Sequence, residues 1–241
     1  MKLIIAGASG FVATEVIRQS LSMPSINSVI ALARRPVSAP DNLAPGADTS
    51  KLQSAVVKDY DEYSEEVKKH FANADACIWS VAITPSKSKA FDFEVVRKVC
   101  QTNTIIGMKA MIEARGNSTT PFRFLYMSGV AAERDQTKTP THMPQYSLMR
   151  GETETQVLAL AKEYKDVEAA VAKPGLITGP GKYMVSIMAT VLSWAGIVPN
   201  IGVAETAAAM LNQVENGFEK EPLMNDDLAK IGSEILNKAK E

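Results

Sequence analysis

The sequence predicts an α/β fold built on a doubly wound parallel sheet. Three observations carry this. Short apolar runs alternate with longer helix-like patterns along all 241 residues. The first apolar run meets a glycine-rich turn with no spacer, and a helix-like pattern follows at once. Hydrophobic residues make up 46% of the chain, enough to cover a sheet on both faces.

The elements follow in order. Leu3 to Ala6 is the first buried strand, Gly7-Ala8-Ser9-Gly10 the turn, and Phe11 to Leu21 the helix. Such a unit builds a phosphate cradle, because the free N–H groups and positive dipole end of the helix converge on one point. Gly7 permits the sharp turn, and Gly10 keeps a Cβ out of the ligand's path. Ala13 stands where a third glycine often packs helix on strand. The alternative is an ordinary strand–turn–helix whose glycines only solve a packing problem.

Ser28 to Ala33 is the second strand, and residues 39–49 form a loop rich in Pro, Gly, Asp and Asn. Gln53 to Val57 is the third strand, Asp61 to Phe71 a charged helix and Ala76 to Ile83 the fourth strand. A long helix over Phe93 to Ala114 precedes the fifth strand, Phe122 to Met127. A polar loop over 131–145 leads to a helix from Tyr146 to Tyr164. The sixth strand, Val167 to Ala172, stops at Lys173-Pro174-Gly175. Helices over 204–215 and 226–240 close the chain, with Gly217 ending the first and Asn225 or Asp226 capping the second. No linker or repeat divides the chain. The expectation is one domain over 1–241, with substrate-side elements at about 131–146 and a small C-terminal lobe over 176–241.

Composition narrows the function. A formal net charge of −1 gives no field to attract nucleic acid or an anionic membrane. Cys77 and Cys100 sit in apolar patterns and read as buried thiols of a reducing compartment, so a cytoplasmic protein is expected. His70 and His142 have no metal-ligand neighbours, and no metal site is expected. The opening apolar run is too short for a signal peptide. Residues 183–199 are almost uncharged but interrupted by polar residues and glycine. They read as a buried or pocket-lining helix, not a stable membrane span.

Ligands of such sheets sit beyond the C-terminal strand ends, where strand order reverses. This selects Gly7, Ala8, Ser9 and Gly10 with Phe11 and Val12, then Arg34-Arg35, Asp59-Tyr60, and Ala82 to Thr84 with Val81 before them. It also selects Ser128-Gly129 and Pro174. An acid after the second strand would grip the ribose 2′-hydroxyl of NAD. Arg34-Arg35 stands there instead, and no Asp or Glu occurs between Glu15 and Asp41. Guanidinium groups suit a 2′-phosphate, which favours NADP(H) over NAD(H). The competing account is a pair of solvated surface arginines.

Ser128 ends a strand in Leu-Tyr-Met-Ser-Gly, and Tyr146 and Arg150 share one face of a helix four residues apart. The glycine turn, the serine-ended strand, the Tyr-x-x-x-basic helix and Lys173-Pro174-Gly175-Leu-Ile-Thr-Gly179-Pro180 resemble the short-chain dehydrogenase/reductase superfamily. The likeness is to its atypical NmrA-like and nucleotide-sugar-epimerase-like branch. It spans nearly the whole chain and implies a Rossmann-type sheet. It also implies catalytic roles: Tyr146 as acid/base beside the cofactor, Ser128 bonding the same substrate oxygen, and Arg150 where the family has lysine. Arginine keeps the charge but cannot relay a proton. Asn103 resembles the family's mid-helix asparagine, and Lys173 could supply a second cation.

Met143, Met149, Tyr183, Met184, Met188 and Trp194 suggest an apolar wall for a small-molecule substrate. The expected activity is an NADPH-dependent carbonyl or enone reductase, acting as monomer or homodimer. The alternatives are an NmrA-type redox-sensing regulator that binds NADP(H) without turnover, and an epimerase or isomerase.

Overall fold

The computed structural model describes residues 1–116, 120–180 and 198–239. Seven strands form one parallel sheet. They are β1 (Lys2–Ala6), β2 (Ser28–Ala33), β3 (Leu52–Val56), β4 (Ala76–Trp79), β5 (Phe122–Met127), β6 (Val167–Lys173) and β9 (Leu223–Met224). Their spatial order is β3-β2-β1-β4-β5-β6-β9. The chain winds outward from β1 to β3, then returns to place β4 against β1, with Ala6 opposite Trp79. This reversal opens the ligand crevice at the C-terminal ends of β1 and β4.

Both faces of the sheet are covered, which is why its strands are apolar throughout. One face packs against α1 (Phe11–Ser20), α7 (Val203–Asn216) and α8 (Asn225–Lys238), burying Val16, Ile17, Met210 and Leu228 beside Leu3 and Ile5. The other packs against α2 (Glu65–Phe71), α5 (Asn103–Arg115) and α6 (Pro144–Lys162), burying Phe71, Met108 and Val157 beside Ile4 and Trp79. This is the doubly wound arrangement read from the sequence.

Several elements differ from expectation. The charged helix begins at Glu65, because the Ser64 hydroxyl accepts the Val67 N–H and caps it there. The long helix is split into α4 (Phe93–Arg97) and α5 by a π-helical segment, Lys98–Thr102, and a short helix α3 (Pro85–Ser88) forms in the preceding loop. The fourth strand stops at Trp79, four residues early. The sixth runs one residue further, to Lys173. Helix α6 starts two residues early, with Pro144 in its first turn, where a missing N–H costs nothing. The expected caps Asn225 and Asp226 lie inside α8. Its N-cap is Met224, whose N–H donates to the Asp227 carboxylate. Gly217 ends α7 at φ +102°, as read from the sequence. Three short strands were not foreseen: β9, and the parallel pair β7 (Leu176–Thr178) and β8 (Asn200–Gly202). Strands of two or three residues carry too little periodicity to be read.

Both cysteines are buried and free. Among the described residues, no helix is long and apolar enough to cross a membrane. Most of the expected helix over 183–199, with Tyr183, Met184, Met188 and Trp194, lies outside the described residues.

Candidate active site

The glycine turn caps β1. Gly7 takes φ +81°, a conformation glycine adopts freely, and a Cβ there would lie 2.8 Å from Ser80 Oγ. The N–H groups of Gly7 and Ala8 both donate to the Leu32 carbonyl, at 3.0 and 3.1 Å. The turn is thereby tied to the end of β2. Gly10 N–H closes back on the Gly7 carbonyl at 2.8 Å. Ser9 and Gly10 stand exposed at the tip, whereas Ala8 and Val12 are buried and Phe11 half-buried. The first-turn N–H groups of α1 have no acceptor within the helix itself.

The other sequence-selected residues divide into two groups. Arg34 and Arg35 are exposed directly after β2. Ala82 is half-buried beyond β4, next to buried Val81. Tyr60, by contrast, lies beneath the turn. Its hydroxyl donates to the same Leu32 carbonyl at 3.1 Å, and burial pushes its phenol up to about 12. Asp59 is held by this chain's own groups: the Tyr60 N–H at 2.8 Å, Lys98 Nζ at 3.1 Å and Asn103 Nδ2 at 3.1 Å. Burial acts to raise its carboxyl, but these donors hold it below the usual range. Asn103 therefore bonds Asp59 rather than backbone beside the fourth strand, and its buried Oδ1 has no partner among the described residues. Pro174 is buried, and its carbonyl accepts the Val130 N–H at 3.1 Å.

The proposed catalytic residues gather at the ends of β4 and β5 and the start of α6. The Tyr146 hydroxyl donates to the Ile83 carbonyl at 3.0 Å. Its half-buried ring packs beside Val96, Cys100 and Met149. Met149 is thus core, 2% exposed, and not substrate wall; it lies on the α6 face that meets the π-helical segment. Arg150 is only 4% exposed. Its Nη2 donates to the Met127 carbonyl at 2.7 Å, its guanidinium lies 4.9 Å from the Tyr126 ring centroid, and its buried Nη1 has no partner among the described residues. Burial pushes the Tyr146 phenol up to about 12, and the Arg150 charge pulls it the other way.

Ser128 is positioned by its N–H, which donates to the Ala172 carbonyl at 2.8 Å. Its hydroxyl donates to Glu154 Oε1 at 2.6 Å. Glu154 is fully buried and also accepts Arg134 Nε at 2.7 Å and Lys173 Nζ at 3.2 Å. Lys173 is therefore committed to this carboxylate and to the Ala132 carbonyl. The 131–143 loop reaches Glu154 because α6 carries Gly151 beneath it; a Cβ there would stand 1.8 Å from the Glu133 carbonyl oxygen. Glu154 was not selected from the sequence. The available signal was its spacing, four residues beyond Arg150 and eight beyond Tyr146, on the same helix face.

The glycine turn at the end of β1 and the strand order β3-β2-β1-β4-β5-β6-β9 are those of a doubly wound, dinucleotide-binding sheet. A family model described as the NAD dependent epimerase/dehydratase family matches residues 3–196. The chain belongs to that family. Solved structures agree on the fold. A dTDP-glucose 4,6-dehydratase from Streptomyces venezuelae, determined with NAD bound, superimposes with a TM-score of 0.68 at 17% identity, covering 98% of this chain and 81% of that one. A carbonyl reductase from Pseudomonas aeruginosa PAO1 gives a TM-score of 0.62 at 18% identity, covering 90% and 92%. A UDP-glucose 4-epimerase from Thermotoga maritima, determined with UDP-glucose, gives 0.63 at 14% identity over all of both chains. No curated protein sequence matches this chain.

Proposed function

We propose that the protein is an NADP(H)-dependent oxidoreductase that interconverts a carbonyl and an alcohol on a small, mainly apolar metabolite. The observation that carries this reading is the Tyr146–Arg150 pair. A phenol stands at the crevice with a buried guanidinium one helical turn away, and Nη1 of that guanidinium has no acceptor among the described residues. A buried donor without a partner is costly, so it points to an acceptor supplied by a ligand. A dinucleotide fits these residues. Its diphosphate would meet Ser9, Gly10 and the first turn of α1, with Gly7 and Ala8 shaping the turn. Its 2′-phosphate would meet Arg34 and Arg35, and its ribose hydroxyls Arg150 Nη1. Phe11, Val12, Val81, Ala82 and Pro174 would wall the site. Tyr60 acts from behind, by bonding the Leu32 carbonyl that ties the turn, and Asp59 stands beside it at the strand end.

When bound, the nicotinamide supplies or removes the hydride. Tyr146 supplies the proton to the substrate oxygen in reduction, or takes it in oxidation, once its hydroxyl turns from Ile83 to the substrate. Arg150 steadies the developing phenolate and carries no proton itself. The elements over 131–146 and 176–241 form the substrate side of one 241-residue domain. The test is turnover of NADPH with a panel of ketones and enones, repeated with Tyr146→Phe. Turnover lost in the variant, with NADPH binding retained, is the expected result. Equal turnover in both proteins would remove Tyr146 from the chemistry.

A second reading is an NADP(H)-binding redox sensor. It is favoured by the hydrogen bonds that occupy both hydroxyls, Ser128 on Glu154 and Tyr146 on Ile83. Tight NADPH binding with no turnover across the panel would select it.

A further inference from the structure

Ser128 has one hydroxyl proton, and it is directed at Glu154. The Oγ–Oε1 separation of 2.6 Å lies in the range of charge-assisted O–H···O⁻ bonds. Glu154 cannot turn away, because it is fully buried and anchored by Arg134 Nε and Lys173 Nζ. Both anchors are themselves fixed: Arg134 Nη1 donates to Glu221 Oε2 at 3.0 Å, and Lys173 Nζ donates to the Ala132 carbonyl at 2.8 Å. Releasing the serine proton would leave Glu154 Oε1 with only Lys173 Nζ, 3.2 Å away and shared with Oε2, in place of a 2.6 Å bond. What remains of Ser128 is its lone pairs.

From this we propose that Glu154 fixes Ser128 as a hydrogen-bond acceptor, so that the site favours a ligand hydroxyl over the corresponding carbonyl. The inference rests on the oxidoreductase reading and names the substrate state that the site holds best. A hydroxyl can donate to Ser128 and still accept from Tyr146. A carbonyl oxygen has only lone pairs, which meet the lone pairs of Ser128 and find a single donor in Tyr146. Glu154 is a positioning residue here, acting on the ligand through Ser128.

Two measurements test this. The first needs no substrate: neutron diffraction from crystals exchanged into D₂O. The Ser128 deuteron is expected on the line to Glu154 Oε1; a deuteron pointing away from Glu154 overturns the proposal. The second compares binding of cyclohexanol to the NADPH complex and of cyclohexanone to the NADP⁺ complex, neither of which can react. Ser128→Ala should weaken cyclohexanol about tenfold, the worth of one hydrogen bond, and leave cyclohexanone unchanged. Loss of cyclohexanone affinity instead would make Ser128 a donor and sink the idea. Glu154→Gln should turn its amide oxygen to Arg134 and Lys173 and its NH₂ to Ser128. That frees the serine proton and shifts the preference toward cyclohexanone by about tenfold. An unchanged preference in a folded Glu154→Gln protein counts against the proposal. If neither probe binds, the oxidoreductase reading is damaged, and the deuteron position still decides the polarity of Ser128.

Discussion

The guanidinium of Arg150 lies over the ring of Tyr126, 4.9 Å from its centroid, with a 2.7 Å bond to the Met127 carbonyl beside it. The buried cation is thus held by a ring face and a backbone oxygen, while the nearest carboxylate on the same helix face, Glu154, accepts from Ser128, Arg134 and Lys173. Replacing Arg150 with Met should therefore do little damage to packing and much to function. Turnover should fall by about 10²-fold or more while the protein stays folded, as read by circular dichroism and steady-state rates.

The same pair sets a pH dependence. Burial pushes Tyr146 up to about 12, against the pull of Arg150. Oxidation of an alcohol needs the phenolate, so its rate should rise with pH on the alkaline side. Arg150→Met removes the opposing charge, and the rising limb should move to higher pH in the pH–rate profile.

Buried tyrosines also predict alkaline destabilisation. Tyr60 is raised from 10.0 to about 12 by burial, and Tyr146 likewise. Their stability contribution is complete below pH 10, where both states are protonated. It falls as pH rises toward 12, because the unfolded chain loses its phenolic protons first. Tyr60 alone should account for about 1.4 kcal/mol of that fall between pH 9 and pH 11. Urea unfolding at pH 9, 10 and 11, compared with Tyr60→Phe, measures it; a flat profile would refute the burial argument.

Gly7→Ala puts a Cβ 2.8 Å from Ser80 Oγ on a backbone at φ +81°. It should cost about 1–2 kcal/mol of stability and weaken dinucleotide binding at least tenfold. Gly46 shares the same φ with open space around it, so Gly46→Ala is the control that isolates backbone strain from the clash.

Much of the fold was legible because strands covered on both faces are continuously apolar, as in Leu3 to Ala6, and the glycine turn marks which strand begins the winding. Ser128, Tyr146 and Arg150 were singled out by a strand end, an i, i+4 helix spacing and their resemblance to the superfamily's pattern. Glu154 was not, because a glutamate among Glu152 and Lys162 on a charged helix reads as solvated surface until the 131–143 loop is laid over it. Asp59 and Tyr60 sit at the right strand end, but the Tyr60 side chain turns inward to Leu32, and the partly exposed Asp59 carboxylate is taken by Asn103 and Lys98. Strand-end position fixes proximity to the crevice, and side-chain direction depends on neighbours distant in sequence. The π-helical break at Lys98–Thr102 was likewise not read, since its five residues shift the apolar spacing by only one position and carry no break in composition.

The most direct measurement is a calorimetric titration of the purified protein with NADPH and with NADH, alongside the Arg34→Glu/Arg35→Glu double variant. Saturable binding is predicted for both, tighter for NADPH, with the variant losing at least tenfold more affinity for NADPH than for NADH. Heat from neither nucleotide would contradict the account at its root, and equal losses for the two would remove the arginine pair from cofactor choice.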